Sequence, residues 1–248
     1  MKKCKICGGI CNSIGGGQYM CDCCGQTYSE SDFVVREKMM TKETMSGADL
    51  YERNVVGTLE IFCNGKRGSW SGSGYIISDD GYAVTNAHVA ANDDGSPCGD
   101  ITVKVCGERV PARVIALADD RAGDGNGIDI ALIKLARMPR SARRLVFIDS
   151  ATVRTGDQVY VIGNSLGEGT SITSGIIGDK NRNGRLMYDS ATNPGNSGGP
   201  VFNADGKVIG THVAGRRTDD GGKAQGMNFA IPSHDVMMFV RKYGVPVD

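Results

Sequence analysis

Gly195-Asn196-Ser197-Gly198-Gly199-Pro200 places one serine between small residues, and the two partners a reactive serine requires lie upstream of it. A serine hydroxyl is a poor nucleophile until a base removes its proton. Small flanking residues let the backbone turn sharply, expose Oγ and aim amide N–H groups at a developing oxyanion. The candidate base is His88, in Val84-Thr85-Asn86-Ala87-His88-Val89. The candidate orienting carboxylate is Asp129, which opens Asp129-Ile130-Ala131-Leu132-Ile133-Lys134-Leu135. His, Asp, Ser is one of the known chain orders of such a triad. Asp119, Asp120 and Asp124 also fall between His88 and Ser197, but in a polar, glycine-rich stretch that reads as a solvated loop.

With 248 residues the chain has room for one all-β domain of about 200 residues and a small module. Hydrophobic residues make up 40% and glycines number 36, a composition that suits a real core built from short strands and tight turns. Lys plus Arg and Asp plus Glu both total 28, so no global charge recruits nucleic acid or an anionic membrane. No apolar run approaches the roughly 20 residues that span a bilayer. Met1-Lys2-Lys3-Cys4 has no apolar stretch before its cysteines, so a signal peptide is not expected and the expected location is the cytoplasm.

The cysteines cluster at the amino terminus. Cys4-Lys5-Ile6-Cys7-Gly8 and Cys21-Asp22-Cys23-Cys24-Gly25 are two C-x-x-C-G knuckles, 13 residues apart. Four thiolates from two such knuckles make a closed tetrahedral site for structural Zn²⁺, the pattern of a zinc ribbon. The expected ligands are Cys4, Cys7, Cys21 and Cys24; Cys24 is preferred to Cys23 because it restores the C-x-x-C spacing. Cys11 is unpaired and reads as a bystander. Cys63, Cys98 and Cys106 read as reduced small residues.

Residues 1–28 are therefore assigned to the ribbon and 29–50, polar and charged, to a linker. Residues 51–248 form the main domain, where about twelve short β-rich runs predict a pair of antiparallel barrels or sandwiches. Pro232-Ser233-His234-Asp235 followed by Val236, Met237, Phe239 and Val240 predicts a terminal helix.

From about Val55 to Val240 the chain resembles the trypsin-like, chymotrypsin-fold serine peptidases and, within them, the HtrA/Deg branch. The matching pieces begin with Gly72-Ser73-Gly74-Tyr75-Ile76-Ile77, Thr85-Asn86-Ala87-His88-Val89 and Asp129–Leu135. Ile162-Gly163-Asn164, Thr173-Ser174-Gly175-Ile176-Ile177, Asn193–Pro200, Gly206–Gly210 and Asn228-Phe229-Ala230-Ile231-Pro232 follow in order. The resemblance implies two six-stranded antiparallel barrels, with His88 and Asp129 from the first and Ser197 from the second facing one cleft. It also implies an oxyanion hole made by the Gly195 and Ser197 amides. The implied S1 pocket has Ala191 at its floor and His212, Val213, Ala214, Asn228 and Phe229 around it, which suggests small or medium apolar P1 residues. An imidazole at His212 would instead favour a polar or acidic P1. Secreted members carry an aspartate where this chain has Asn196, so activation by a freshly cut amino terminus is not expected. The PDZ domain usual in that branch is not expected either, since the chain ends about fifteen residues after Pro232.

The resemblance implies a serine endopeptidase acting on protein or peptide, with the ribbon recruiting substrate or a protein partner. The competing reading is a zinc-ribbon adaptor or nucleic-acid-binding protein whose protease fold is a binding or self-cleaving module. Lys2, Lys3, Lys5 and Arg36 against Asp22, Glu30 and Asp32 are weak footing for nucleic acid.

Overall fold

A computed structural model of the protein describes residues 2–4, 9–30, 45–66, 68–118, 128–217 and 223–247. They fall into two compact units, Met1–Thr44 and Met45–Asp248. In the first, β1 (Lys2–Lys3), β2 (Ile10–Gly15), β3 (Gln18–Cys21) and β4 (Thr27–Ser29) form a small antiparallel sheet in that order. Its core is Cys4, Cys11, Cys21 and Tyr28.

The second unit opens with helix α1 (Gly47–Val55), capped by the Ser46 hydroxyl, which accepts a hydrogen bond from the Asp49 amide. Residues 47–50, read from sequence as the end of a linker, are thus the first turn of a helix whose Leu50 is fully buried in the core. One apolar residue per turn was too sparse a signal, and tertiary packing supplies the rest.

The first barrel closes in the order β10-β7-β6-β5-β8-β9. Its strands are β5 (Thr58–Gly65), β6 (Gly68–Ile76), β7 (Tyr82–Thr85), β8 (Asp100–Val105), β9 (Glu108–Ala118) and β10 (Ile130–Leu135), with the short helix α2 (Ala87–Ala90) after β7. The second closes in the order β11-β12-β13-β16-β15-β14. It comprises β11 (Gln158–Asn164), β12 (Thr170–Arg182), β13 (Arg185–Tyr188), β14 (Pro200–Asn203), β15 (Val208–Arg217) and β16 (Lys223–Pro232), followed by helix α3 (Ser233–Arg241). All strand pairs are antiparallel.

Side-chain alternation explains how the strands are used. In β8, Ile101, Val103 and Val105 point into the first barrel while Thr102 and Lys104 do not. β10 is apolar on both faces for a different reason: Ala131, Ile133 and Leu135 fill the first barrel, and Ile130 and Leu132 join the core between the barrels. That shared core also holds Tyr75, Val84, Ile162, Phe202, Ile231 and, from α3, Val236, Phe239 and Val240. Tyr75 Oη and Thr211 Oγ1, 2.8 Å apart, tie the barrels across it. Among the described residues no helix is long and apolar enough to cross a membrane.

Candidate active site

The pairing of β7 with β10, in register Thr85 to Ala131, brings the turn after β7 beside the turn before β10. Asp129 and His88 meet there. His88 Nδ1 lies 2.6 Å from Asp129 Oδ2, and the His88 amide donates to Asp129 Oδ1 at 3.0 Å. Asn86 Nδ2 donates to the Asp129 carbonyl at 2.7 Å, which fixes the backbone on the far side. Burial alone would push the Asp129 carboxyl up, but the hydrogen bonds and charge of His88, with Arg185 behind, hold it below the usual carboxylate range. An ionised carboxylate only accepts, so Nδ1 carries the proton and Nε2 is left as an acceptor facing outward from the pair. The aspartates at 119, 120 and 124 lie outside the described residues.

Ser197 follows a turn that only glycines can make. Gly195 has φ +96° and Gly198 φ +85°, both in the left-handed region. A Cβ on Gly195 would run into the Asn164 carbonyl, and one on Gly198 into Thr85 Oγ1 and the Ser73 carbonyl. Gly198 therefore sits on the strand end that leads into His88. On the other flank, a Cβ at Gly72 would fall 2.6 Å from Val89 Cγ1 and 3.3 Å from the Ser197 carbonyl oxygen. The serine loop and the histidine turn are thus packed together with no side chain between them. Ser197 Oγ donates to the Val213 carbonyl at 2.9 Å, its one hydrogen-bond partner among the described residues. The amides of Asn196, Gly198 and Gly199 donate to the carbonyls of Asn193, His212 and Asn196. Those of Gly195 and Ser197 donate to no described group.

The S1 candidates come from the loop before Ser197 and from the paired strands β15 and β16. Ala191 is exposed on the loop before Ser197. Val213 and Phe229 border a cavity of about 230 Å³ together with Arg182, Asn183 and Arg185. Ala214 pairs with Phe229, and its side chain lies outside the described ones. Asn228 is buried, donating to the Ser190 carbonyl and accepting from Thr192 Oγ1, both at 2.7 Å. His212 is buried in the second barrel, its Nδ1 2.5 Å from the Tyr188 hydroxyl. Burial drives the Tyr188 phenol well above its usual range, so it stays protonated. Polar groups thus surround a region that the sequence leads one to read as apolar.

Trp70 donates from Nε1 to the Val89 carbonyl at 2.8 Å and so braces the residue after His88. Ser73, Thr85 and Asn86, quoted above only as parts of matching pieces, make hydrogen bonds around the site; in sequence they stand out as small or polar side chains at barrel positions where apolar ones are the rule.

In the amino-terminal unit, the sulfurs of Cys4, Cys21 and Cys24 all lie within 4.8 Å of one another, with Cys4 and Cys24 3.6 Å apart. Tetrahedral zinc with Zn–S bonds of about 2.3 Å sets sulfurs about 3.8 Å apart, so this donor set fits the ion. Cys7 lies outside the described residues. Cys23 is exposed and is not in the group. Cys11, read as a bystander, is buried and pairs with Cys21 across β2 and β3, next to the cluster. The Tyr28 hydroxyl sits 3.0 Å from Cys4 Sγ.

Residues 72–210 match the family model for the trypsin-like peptidase domain, and the chain belongs to that family. It is 37% identical over 169 residues to a probable periplasmic serine endoprotease DegP-like of Brucella suis, covering 65% of this chain and 30% of that protein. A protein of the same name from Chlamydia muridarum is 36% identical over 177 residues, 68% of this chain and 32% of the other. Among solved structures, the HtrA-type protease AlgW with tripeptide superposes with a TM-score of 0.68 at 30% identity, covering 81% of this chain and 65% of that one. The serine endoprotease from Yersinia pestis gives 0.67 at 27%, covering 80% and 66%. The chain spans about a third of the length of the curated relatives it matches. These relatives are named periplasmic, which overturns the cytoplasmic expectation. That expectation rested on the lack of an apolar stretch before Cys4, a local property that says nothing of where the barrels fold.

The seating of Gly198 is open to test. Gly198→Ala combines a left-handed φ with a collision against Ser73 and Thr85, and is expected to cost at least about 2 kcal/mol in urea unfolding. Gly99→Ala, where a Cβ meets nothing within 4 Å, is the control and should leave the midpoint unchanged.

Proposed function

We propose that the chain is a serine endopeptidase in which Ser197 is the nucleophile, His88 the base and Asp129 its orienting partner. The observation that carries this reading is the double hydrogen bond from His88 to Asp129, packed directly against the serine loop. When a peptide enters the cleft, Ser197 Oγ turns from the Val213 carbonyl to His88 Nε2 and attacks the scissile carbonyl carbon. Nε2 takes the hydroxyl proton and later passes it to the leaving amine, while Asp129 stabilises the imidazolium. The Gly195 and Ser197 amides receive the oxyanion. Ser197→Ala, His88→Ala and Asp129→Asn should each lower peptidase turnover by about 10⁴-fold with the unfolding transition retained. Near-normal turnover in His88→Ala would show the base to be elsewhere. A fluorophosphonate that never labels Ser197 would favour the adaptor reading.

For S1 we propose the region bounded by Ala191, His212, Val213, Ala214 and Asn228, taking small or medium uncharged P1 side chains. No carboxylate is among those residues, so a P1 lysine or arginine would be desolvated without a counter-ion, at a cost of several kcal/mol. Cleavage-site profiling should show basic residues depleted at P1, and a profile rich in Lys and Arg would refute this pocket.

We further propose that residues 1–28 are a zinc ribbon holding one structural Zn²⁺ through Cys4, Cys7, Cys21 and Cys24, and that it recruits substrate or a protein partner, joined by a linker to a peptidase domain that includes α1. Nucleic acid is a poorer fit, because Lys2 is engaged by Glu30 at 2.5 Å and lies over the Tyr19 ring. Four thiolates leave no open position on the metal, so its role is to fold a segment too small to fold alone. Cys4→Ser and Cys24→Ser should lose bound zinc by atomic absorption while Ser197 still reacts with the fluorophosphonate; zinc-free wild-type protein purified under reductant would dismiss the ribbon.

A further inference from the structure

The loop that carries Ser197 is held by its carbonyl oxygens. Pro194 O accepts from the Leu166 amide at 2.7 Å, and Asn196 O from the Gly199 amide at 2.9 Å. Gly195 O accepts from Ser73 Oγ at 2.7 Å, and Ser197 O from the Ser73 amide at 2.8 Å. Four successive peptide planes are thereby anchored. In a trans peptide the C=O and N–H point in opposite directions, so an anchored oxygen sets the direction of the following N–H. The anchors on Pro194 and Asn196 aim the Gly195 and Ser197 amides, which donate to no described group. The anchor on Gly195 stops the one plane between them from turning, and the anchor on Ser197 holds the plane that follows.

Both of those intermediate anchors come from one residue. Ser73 lies on β6 of the first barrel and is fully buried. Every polar group it has is committed: Oγ also accepts from the Asn164 amide at 2.8 Å, and its carbonyl accepts from Thr85 Oγ1 at 2.6 Å. Thr85 stands three residues before His88, and Asn164 ends β11 of the second barrel. Ser73 is thus joined to the histidine strand, the serine loop and the second barrel at once. Its neighbours leave it no room to move. A Cβ on Gly72 or Gly74 would collide with Val89 or Ile61, one on Gly163 would come within 2.9 Å of Ser73 Oγ, and one on Gly199 within 3.2 Å of Ser73 Cβ.

We propose that Ser73 is a positioning residue for the oxyanion hole: from the first barrel, its hydroxyl and amide lock the Gly195 and Ser197 carbonyls so that the two oxyanion donors stay aimed as Ser197 attacks. This rests on the reading of Ser197 as nucleophile and of the Gly195 and Ser197 amides as donors. Loss of the hydroxyl leaves a half-buried Gly195 carbonyl without its partner and frees a glycine-led peptide to rotate.

The test is Ser73→Ala in the full chain, with active sites counted by fluorophosphonate titration. Turnover per titrated site should fall about 10- to 100-fold, short of the 10²–10³ for outright loss of an oxyanion donor, with KM within about twofold. Affinity for a peptide boronic acid, whose tetrahedral adduct fills the oxyanion hole, should fall in parallel, while a product peptide binds as before. A purely structural role would reduce the titrated fraction and the thermal midpoint but leave turnover per site unchanged, and that result overturns the proposal. If Ser73→Ala does not fold, Ser73→Cys, which restores a weak donor, replaces it: lowered turnover at unchanged KM supports the proposal, and wild-type turnover overturns it. Full activity in Ser197→Ala would instead refute the nucleophile reading on which the proposal stands.

Discussion

A missing Cβ at Gly198 is the constraint from which the arrangement of the site follows. No other residue allows the serine loop to lie on the Thr85 and Ser73 backbone at φ +85°. With that contact made, the loop of the second barrel and the histidine turn of the first become one packed unit. His88 is then held from behind by Asp129 through two hydrogen bonds, and the residue after it by Trp70. Substrate would meet a surface whose polar groups are oriented before it arrives, which is the condition under which electrostatic stabilisation of a transition state is effective.

That local contact depends in turn on the core between the barrels. Tyr75, Val84, Ile130 and Leu132 from one barrel and Ile162, Phe202 and Ile231 from the other make a single apolar cluster, closed by α1 and α3. The strands that reach it must be apolar on both faces, because one face fills a barrel and the other fills the interface. The buried Tyr75–Thr211 hydrogen bond sits inside this cluster and fixes how the barrels meet, since a slip would leave two hydroxyls without partners.

The amino-terminal unit obeys a different physics. Among the described residues its buried cluster is three cysteines and a tyrosine, little apolar surface against the ordering of the chain. Sulfur atoms gathered within metal-binding distance are the natural remedy. The burial of Cys11 beside them is a consequence of the β2–β3 register, which puts it opposite Cys21.

The linear pattern was sufficient for the mostly β class and the terminal helix, because side-chain alternation and glycine-marked turns are local properties; it left barrels and sandwiches open, and the family resemblance pointed to the two barrels. It also offered His88, Asp129 and Ser197 as candidates, since residue types and their order are visible one residue at a time. It did not reveal α1, whose single buried leucine becomes meaningful only against the core. Nor did it reveal Ser73, Leu166 or the buried Tyr188–His212 pair, or show that Ala191 is exposed. Those depend on which carbonyl faces which amide and which strand face turns inward, and such facts exist only after distant segments have packed. Residue type can announce that a serine is capable of chemistry; the direction of the amides around it is decided by tertiary contacts, because a peptide plane is oriented by the partners of its oxygen and not by its own side chain.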